Sequence, residues 1–478
     1  MARSIFSREN SVTPNDTTAQ VDSVMERARA AQRRYEAGGS QERYDRAAAA
    51  VAWAIMEPTR NRELAEMAVT TTGLGNVADK ITKNHRKTLG LMRDLRDVKT
   101  HGILRDDPET GITEIARPLG VIGAIVPSTN PAATPANNIV NALKCGNAIV
   151  VAPSPKGVAT CERLLAFIHA EFAKIGEEAD LVQMLPPPGS KEKTQRLMQT
   201  CDRIVATGSQ NNVHRAQTAG TPAVAVGAGN VTVIVDETAD LAQAARKIRL
   251  SKTFDNATSC SSENAVVVVD AVHDAFMEAM RAEGGHAVED EARIVARLWP
   301  DGHLNRAAIA QDAGPMLAAL GLEDEVPAGI EFIVVPTCGI GPDHPLSGEK
   351  LSRVLALYRA RDFDDAVSIT RAIQTHQGAG HSVGLHSTDG ERPLALAHTL
   401  PTCRIIVNQA HCFATGGAFN NGMPFSLSMG CGSWGGNAID ANLDWRHFLQ
   451  STKIVREIPP REPALEDIFG EYWREAGT

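Results

Sequence analysis

Apolar and polar residues follow different periods along the chain, and each period predicts a type of element. Between residues 16 and 97 apolar residues recur every three or four positions, which is typical of amphipathic helices. The first helical segment stops at Gly38 and Gly39, and Ser40 is placed to cap a second one over "QERYDRAAAAVAWAIM". Pro58 is expected to end that second helix. The chain therefore starts with an α-helical region.

The pattern then changes twice. "ILRDDPETGITEIARPLG" has turn residues between two short strand-like runs, which predicts a hairpin projecting from the main body over residues 103–117. After it, short Val-, Ile- and Ala-rich runs such as "GVIGAIVP", "NAIVVAP", "RIVATG" and "PAVAVG" alternate with helical segments. Continuous apolar strands of this kind indicate a parallel sheet covered on both faces, as in doubly wound nucleotide-binding folds.

A second alternation begins after Cys260, with "NAVVVVD", "EFIVVP" and "RVLALYRA" among its strand-like runs. Two α/β domains in succession are the simplest partition, and a length of 478 residues is enough for several packed domains. Cys260 then lies near the junction between the domains. Ligand clefts favour such junctions.

Composition and charge exclude several classes of function. The net charge of -9 comes from scattered acids, and no basic block suits nucleic acid. The most apolar region is broken by prolines well before the ~20 residues that span a bilayer, so no membrane partner is expected. The N-terminus "MARSIFSRENSVTPNDTTAQ" lacks the apolar core of a secretory signal, which predicts a cytoplasmic location. Eight irregularly spaced cysteines without CxxC pairs argue against disulfides and a metal site.

Two motifs need a structural context before they indicate chemistry. In "SKTFDNATSCSSENAVVVVD", Cys260 follows a small, polar segment, so its thiol can lie on an accessible loop near backbone N–H groups. The alternative is a cysteine that packs as a small hydrophobe. "GCGSWGG" satisfies GxGxxG formally, but no long helical pattern follows it. It therefore indicates a tight loop and not a dinucleotide fingerprint.

Several segments resemble the CoA-acylating branch of the aldehyde dehydrogenase superfamily, in family order from Arg117 to Asn437. They include "RPLGVIGAIVPSTNPAATPANNIVNALKCGNAIVVAPSPKG", "GTPAVAVGAGNVTVIVD", "SKTFDNATSCSSENAVVVVD" and "MGCGSWGGN". The resemblance implies an α/β, aldehyde dehydrogenase-like fold with a small β oligomerisation arm. A Rossmann-type cofactor domain spans 1–250, with the 103–117 hairpin in the arm. A catalytic α/β domain spans 251–430, and 431–478 returns to the cofactor domain and the oligomerisation arm.

The same resemblance assigns roles to individual residues. Cys260 matches the nucleophile that attacks the aldehyde, and Asn130 matches the amide that stabilises the resulting oxyanion. Without the resemblance, Asn130 and Pro131 read as a simple turn. Hydride needs an acceptor that no side chain supplies, so NAD or NADP is required. Cofactor-binding matches are Pro127, Ser128, Lys156, Thr207, Gly208, Ser209, Gly227, Gly229 and Glu349.

Some of these matches leave alternatives open. Ser209 also suits a helix cap, and Glu349 also suits a solvated surface acid. The lysine that hydrolytic relatives carry after the strand matching "NAIVV" is replaced here by Ala152 and Pro153, with Lys156 following later. Whether Lys156 meets a 2′-phosphate or solvent is open, so the sequence does not choose between NAD and NADP.

A missing carboxylate indicates the acyl acceptor. Hydrolytic aldehyde dehydrogenases carry a glutamate where this chain has Val226 beside Gly227, and neither residue accepts a proton. General-base assistance is worth about 10²- to 10⁴-fold, so water is a poor acceptor here and CoA is the expected co-substrate. The prediction is reversible oxidation of a short aldehyde to its acyl-CoA. Competing hypotheses are a dehydrogenase that releases free acid, a thiol acyltransferase without redox chemistry, and an inactive homologue.

Substrate and assembly are less tightly specified. His381 matches a histidine of acylating relatives and suits lining the site or handling the CoA thiol proton, although a structural role is equally consistent, as it is for His411. "NQAHCFATGGAFNNGMPFSLSMGCGSWGGN" resembles sulfoacetaldehyde-type enzymes, which hold a sulfonate; the alternative is a loop for CoA or subunit contacts. "TKIVREIP" is expected to add a strand to a neighbouring subunit, in a homodimer or homotetramer.

Overall fold

The computed structural model describes residues 14–227 and 229–477. The expectation about the N-terminal signal therefore concerns residues that lie mostly outside the described ranges. Within those ranges, no helix is both long and apolar enough to cross a bilayer.

The described chain opens with helices, as the apolar period predicted. They are α1 (Pro14–Ala37), α2 (Gln41–Met56), α3 (Pro58–Thr72) and α4 (Val77–Leu95). Ser40 caps α2 by accepting a hydrogen bond of 3.1 Å from the Arg43 backbone N–H. Pro58 follows the end of α2 and is the first residue of α3, a position where its missing N–H costs nothing.

The predicted hairpin is present and leads into a five-stranded parallel sheet. The hairpin consists of β1 (Ile103–Asp107) and β2 (Ile112–Pro118), paired antiparallel. The sheet and its helices are β3 (Val121–Val126), α5 (Ala133–Lys144), β4 (Ala148–Pro153), α6 (Val158–Ile175), β5 (Val182–Met184), α7 (Lys191–Thr200), β6 (Arg203–Thr207), α8 (Gln210–Gln217) and β7 (Ala223–Val226). The strand order is β5-β4-β3-β6-β7, with every adjacent pair parallel.

A second parallel sheet follows, with seven strands in the order β10-β11-β12-β9-β8-β13-β14. Its elements are β8 (Val231–Val235), α9 (Leu241–Thr253), β9 (Glu263–Val269), α10 (His273–Ala282), β10 (Gly285–Ala287), α11 (Glu291–Leu298), α12 (Ala313–Leu320), β11 (Phe332–Pro336), β12 (Val354–Ala360), α13 (Phe363–His376), β13 (Val383–His386), α14 (Arg392–Thr399), β14 (Ile405–Val407) and α15 (His411–Ala414). Along β9, Val267 packs into one core cluster and Val266 into another on the opposite face. The uninterrupted valine run therefore reflects burial on both faces, as predicted.

The chain passes from the five-stranded sheet to the seven-stranded sheet before residue 250, where the domain boundary was expected. β7 ends the five-stranded sheet at Val226, and β8 begins at Val231 beside β9 in the seven-stranded sheet. The strand–helix alternation is the same on both sides of this change, so the sequence pattern does not mark it. Which sheet a strand joins is decided by long-range pairing.

The C-terminal segment forms the predicted strand, and this strand pairs within its own chain. After the "GCGSWGG" loop, where Gly432 and Gly436 have positive φ angles of 57° and 66°, the chain reaches β15 (Leu449–Val455) and α16 (Leu465–Ala476). β15 pairs antiparallel with β2, from Leu449 opposite Pro118 onward, and lies at the edge of the three-stranded sheet. Its addition to a neighbouring subunit stays a prediction. The alternating apolar pattern predicts a strand but does not identify its partner.

Candidate active site

A cavity of about 360 Å³ lies where the two parallel sheets meet. Most of the predicted catalytic and cofactor-binding residues line it: Pro127, Ser128, Asn130, Thr207, Gly208, Ser209, Gly227, Cys260 and Glu349. Lys156, Gly229 and His381 are not among its lining residues. The tertiary structure thus brings together segments that are widely separated along the chain.

One wall of the cavity is formed at the carboxyl ends of β3 and β6. The chain runs outward from β3 to β4 and β5, then returns to place β6 on the other side of β3. The direction of winding reverses between β3 and β6, and parallel sheets open a ligand-binding crevice at such a switch point. Residues 127–130 follow β3 and residues 207–209 follow β6, so both segments border this crevice.

The residues after β6 suit an anionic group such as a phosphate. Ser209 caps α8 by accepting from the Asn212 N–H at 3.4 Å, so the helix begins at the cavity. The other N–H groups of the first helical turn have no partner within their own helix and attract anions. Gly208 has a φ of 148°, which side-chain-bearing residues rarely adopt. The Thr207 hydroxyl is hydrogen-bonded to that of Ser428 at 2.6 Å.

Cys260 lies on the loop between α9 and β9, as the sequence indicated. Three consecutive residues before it, Asp255, Asn256 and Ala257, have positive φ angles of 48°, 54° and 59°. Non-glycine residues in this region are strained, and such strain persists only where surrounding contacts fix it. Asn256 is fixed by Arg353, whose Nη2 donates to its Oδ1 at 2.6 Å. The polar "FDNATSC" segment is thus a rigid turn that presents the thiol.

The Cys260 side chain is partly exposed to the cavity and otherwise enclosed by protein. Burial raises the pKa of its thiol to about 12, and the nearby Glu349 adds to the effect. The sequence had suggested an accessible thiol near backbone N–H groups. The thiol form predominates at neutral pH, because desolvation outweighs the effect of the backbone.

This raised pKa predicts a pH dependence of chemical modification. Only the thiolate reacts with iodoacetamide, so modification of Cys260 should rise about tenfold per pH unit from pH 7 to 9, without levelling off. Site-resolved peptide mass spectrometry would measure the rate, with a free cysteine peptide as the control that levels off above its ordinary pKa of about 8.5. A plateau for Cys260 below pH 9 would contradict the raised pKa.

Asn130 is held by a lysine that the sequence reasoning did not single out. Lys83 on α4 donates from Nζ to Asn130 Oδ1 at 3.0 Å. An ammonium group only donates, so the amide atom that faces Lys83 must be the oxygen. The NH₂ group of Asn130 has no acceptor within the described ranges, and Asn130 lines the cavity beside Cys260. The amide is therefore oriented with its donor free.

Asp255 connects Lys83 to the cysteine loop. The buried Asp255 carboxylate accepts from Lys83, from Lys80 at 3.1 Å and from the Thr258 hydroxyl at 2.7 Å. Burial raises the pKa of Asp255, but the two lysines more than offset this, so the net pKa is lowered and the group is a carboxylate. Gly75 permits this arrangement, since a β-carbon there would lie 1.9 Å from Asp255 Oδ1. One buried network thus positions both Asn130 and the turn before Cys260.

Glu349 lies in the cavity wall and is not the solvated surface acid of the alternative interpretation. Burial raises the pKa of its carboxyl to about 8, although Lys252 and Lys350 act in the opposite direction. Its backbone N–H donates to Gln377 Oε1 at 3.0 Å, which fixes the segment before β12. A largely protonated carboxyl group at this position can both donate to and accept from a sugar hydroxyl.

Three predicted residues lie beside the cavity and not in its wall. Lys156 is exposed after β4, with its Nζ 3.4 Å from the Thr72 carbonyl. A β-carbon at Gly229 would lie 2.5 Å from the Cys260 carbonyl oxygen and 2.9 Å from His381 Nε2, so only glycine fits between them. His381 packs behind this glycine, with Nδ1 at 2.7 Å from the Ser382 hydroxyl.

The environment of His381 counts against the predicted role in transfer of the CoA thiol proton. That role stays a prediction. Burial, assisted by Arg404, lowers the pKa of its imidazole to about 3. A base this weak is a poor acceptor for a thiol proton. His411, the other histidine considered, shares the Ser382 hydroxyl with it at 2.9 Å and is also buried.

Comparison with known proteins identifies the family of the chain. A model described as the aldehyde dehydrogenase family matches residues 8–290. An acylating sulfoacetaldehyde dehydrogenase of Cupriavidus necator is 55% identical over 469 residues, covering 98% of this chain and 95% of that protein. The chain belongs to the aldehyde dehydrogenase family. An acetylating succinate-semialdehyde dehydrogenase of Clostridium kluyveri is 34% identical, covering 94% and 99% of the two chains. The resemblance to the CoA-acylating branch is thereby confirmed.

Solved structures confirm the predicted fold class. An acetylating aldehyde dehydrogenase from Geobacillus thermoglucosidasius has a TM-score of 0.89 at 31% identity, covering 94% of this chain and 99% of that one. A Rhodopseudomonas palustris propionaldehyde dehydrogenase, described with bound CoA and an acylated cysteine, has a TM-score of 0.80 at 26% identity, covering 91% and 97%. An engineered glycolyl-CoA reductase described with NADP+ also has a TM-score of 0.80 at 26% identity, covering 91% and 96%.

Val226, which the resemblance predicts to replace the base of hydrolytic members, is a buried aliphatic residue. Val226 is 3% exposed at the end of β7, and Gly227 after it lines the cavity. Among the described residues that line the cavity, Glu349 has the only carboxyl group. An adjacent glutamine side chain restricts Gly227, because a β-carbon there would lie 2.7 Å from Gln210 Nε2.

Sequence reasoning missed the cationic wall of the cavity, formed by Lys83, Arg86 and Lys87 of α4. A signal for it was present in the helical period. Leu91 and Leu95 mark the buried stripe of α4, and counting back in steps of four reaches Lys87 and Lys83. Basic residues in a stripe that should be apolar indicate buried charge, which is rare without a partner or a function.

Proposed function

We propose that the protein oxidises a short aldehyde carrying an anionic group to its CoA thioester, with NAD or NADP as hydride acceptor. The observation that carries this proposal is the cavity itself, which Cys260 and a free Asn130 amide line, with Glu349 as the only carboxyl group among its described lining residues. The buried Val226, predicted to replace the hydrolytic base, supports CoA as the acyl acceptor. The names of the two relatives described above support an anionic substrate, since sulfoacetaldehyde carries a sulfonate and succinate semialdehyde a carboxylate.

The residues of the cavity fit a nicotinamide nucleotide. The start of α8 at Ser209 suits a phosphate, and Glu349 suits a ribose hydroxyl. Thr134 Oγ1 lines the cavity and has no hydrogen-bond partner in the described part of the chain, so a bound ligand would satisfy it. When bound, the oxidised cofactor supplies the hydride acceptor and a positive charge that favours the Cys260 thiolate.

In the first half-reaction, Cys260 acts as the nucleophile and Asn130 stabilises the oxyanion. Cys260 Sγ gives up its proton to solvent and bonds to the aldehyde carbon, and the C=O π electrons move to oxygen, which gives a tetrahedral thiohemiacetal with a negative oxygen. The Asn130 NH₂ group, held by Lys83, donates a hydrogen bond to that oxygen. Loss of hydride from carbon then leaves an acyl thioester on Cys260.

In the second half-reaction the thiolate of CoA attacks the thioester carbon, and Cys260 leaves as a thiolate. Asn130 stabilises the second tetrahedral oxyanion in the same way. A CoA thiol ionises in water before it enters, so this step needs no carboxylate at residue 226, whereas attack by water does. In the first half a hydride passes from the substrate carbon to the nicotinamide, and the energy of oxidation is conserved in a thioester. The second half exchanges that thioester for another of similar energy, so the overall reaction is reversible.

CoA dependence tests this proposal. Purified protein with sulfoacetaldehyde and NAD+ or NADP+ should form reduced cofactor steadily only when CoA is present, with one acyl-CoA formed per reduced cofactor. Because residue 226 supplies no base to activate water, turnover without CoA should be slower by about 100-fold or more. Absorbance at the reduced-nicotinamide band and chromatography of the CoA products would measure both quantities.

Each competing hypothesis predicts a different outcome of the same assay. Equal turnover without CoA, with free acid as product, would identify a hydrolytic dehydrogenase and refute the acylating proposal. Acyl exchange between thioesters without any absorbance change would identify a non-redox acyltransferase. Absence of both reactions would favour the inactive homologue.

We also propose a homodimer or homotetramer in the cytoplasm. The support for assembly is a set of exposed apolar side chains on β15 and α16, which include Val455 at 72% exposure, Leu465 at 61% and Tyr472 at 63%. Large apolar side chains exposed along one helix, as on α16, are typical of interaction surfaces.

A further inference from the structure

The cationic wall of the cavity contains two basic side chains that have no carboxylate partner among the described residues. Lys83, Arg86 and Lys87 lie on one face of α4 at spacings of three and four residues, and all three line the cavity that contains Cys260. The charge of Lys83 is balanced by Asp255. Neither Arg86 nor Lys87 has a carboxylate partner within 4.0 Å anywhere in residues 14–227 and 229–477. Two basic groups in the wall therefore have no protein counter-ion among the described residues.

Backbone carbonyls hold these two cations in place without neutralising them. Arg86 Nη2 donates to the carbonyls of Phe413 at 2.8 Å and Gly417 at 3.1 Å, and its guanidinium lies 4.8 Å from the Phe413 ring centroid. Lys87 Nζ donates to the carbonyls of Gly416 and, at 3.1 Å, Ser426. The segment from Phe413 to Ser426 thus fixes both side chains against α4.

Both cations keep donors for a ligand. The Nε and Nη1 groups of Arg86 make no hydrogen bond with any described residue, and Lys87 has three N–H donors of which two are used. Burial lowers the pKa of Arg86, and Cys412 acts in the opposite direction. Burial lowers the pKa of Lys87 to about 7; Arg86 and Lys83 lower it further, whereas Cys412 and Cys260 raise it. A buried cation without a counter-ion is costly, and an anion entering the cavity would relieve that cost.

We infer that Arg86 and Lys87 form the subsite that binds the anionic end of the substrate, with its aldehyde carbon at Cys260. This inference rests on the proposed function and adds the residues that determine substrate choice. Arg86 offers a planar fork and Lys87 a point charge, a combination that suits the several oxygens of a sulfonate or carboxylate. Uncharged aldehydes of similar size would leave both cations without a partner. The enzyme should therefore discriminate by charge.

Paired substrates test this discrimination directly. The ratio of kcat/KM for sulfoacetaldehyde to kcat/KM for propionaldehyde should fall roughly 10- to 100-fold in Arg86→Met and in Lys87→Met, since each loses a charge-assisted contact that propionaldehyde does not make. Arg86→Lys should keep part of the ratio. Arg96→Met, which removes an exposed cation at the end of the same helix, is the matched control and should leave the ratio unchanged.

Binding of an unreactive anion separates this inference from the proposed function. Ethanesulfonate should raise the melting temperature of the wild-type protein more than sodium chloride at equal ionic strength, and should not do so in Lys87→Met. This measurement needs no turnover, so it decides the subsite even if no aldehyde is oxidised. If Arg86→Met fails to fold, the effect of ethanesulfonate on the melting temperature of the wild-type protein can still be measured.

The outcomes divide clearly. An unchanged substrate ratio in both methionine variants, or no specific effect of ethanesulfonate on the wild type, overturns the anion subsite while leaving CoA-dependent oxidation intact. No CoA-dependent oxidation of either aldehyde, with ethanesulfonate still binding, overturns the proposed function and keeps the subsite.

Discussion

Replacing Cys260 with alanine is expected to abolish CoA-dependent aldehyde oxidation, with a loss of about four orders of magnitude or more in kcat. The reason is that no other atom in the proposed cycle forms the acyl thioester. Wild-type protein given aldehyde and oxidised cofactor without CoA should gain the mass of one acyl group on the peptide containing Cys260. The alanine variant should gain none, as intact-protein and peptide mass spectrometry would show.

Cys412 provides a matched control for this experiment. It lines the same cavity, and burial likewise raises the pKa of its thiol to about 12. It differs from Cys260 in position, since it lies in α15 and not on the rigid turn that follows Asp255. Cys412→Ala should therefore keep its turnover and its acylated peptide. Loss of activity in Cys412→Ala together with activity in Cys260→Ala would reverse the assignment of the nucleophile.

The second large effect concerns the Asn130 amide. Asn130→Ala should lower kcat about 10²- to 10³-fold, because an oxyanion donor is lost at the position where negative charge develops. Asn130→Asp should be at least as impaired, since a carboxylate offers no donor and repels the oxyanion. Single-turnover formation of reduced cofactor would measure the chemical step, and KM for the aldehyde should change much less than kcat.

Lys83 should show the same effect indirectly, as a positioning residue. Lys83→Met removes the donor that orients the Asn130 amide, so kcat should fall by a smaller factor of about ten to a hundred. It also leaves Asp255 with fewer cations, so the variant should melt at a lower temperature. Asn84→Ala is the control for stability alone, since Asn84 is buried on the same helix, hydrogen-bonded to Asn61 and absent from the cavity wall. Equal kcat losses in Lys83→Met and Asn84→Ala would contradict an orienting role.

Local sequence determined much of the fold and, together with the family resemblance, predicted the chemistry of the site. Ser40 and Pro58 bound α2 and α3 because capping and a missing N–H act over a few residues. The valine run of β9 predicted a strand buried on both faces, since side-chain direction alternates along any strand. The polar segment before Cys260 predicted its loop. The absence of a carboxylate at Val226 indicated CoA as acceptor without any coordinates.

Only the tertiary structure decided what depends on distant partners. β15 pairs with β2 of its own chain and β8 joins the second sheet, because a strand's pattern specifies its faces but not its neighbours. The raised pKa of Cys260 depends on enclosure by segments far along the chain, which no local pattern reports. The same holds for Arg86 and Lys87: their place on α4 follows from the helical period, but their position opposite Cys260 without a counter-ion follows from packing alone.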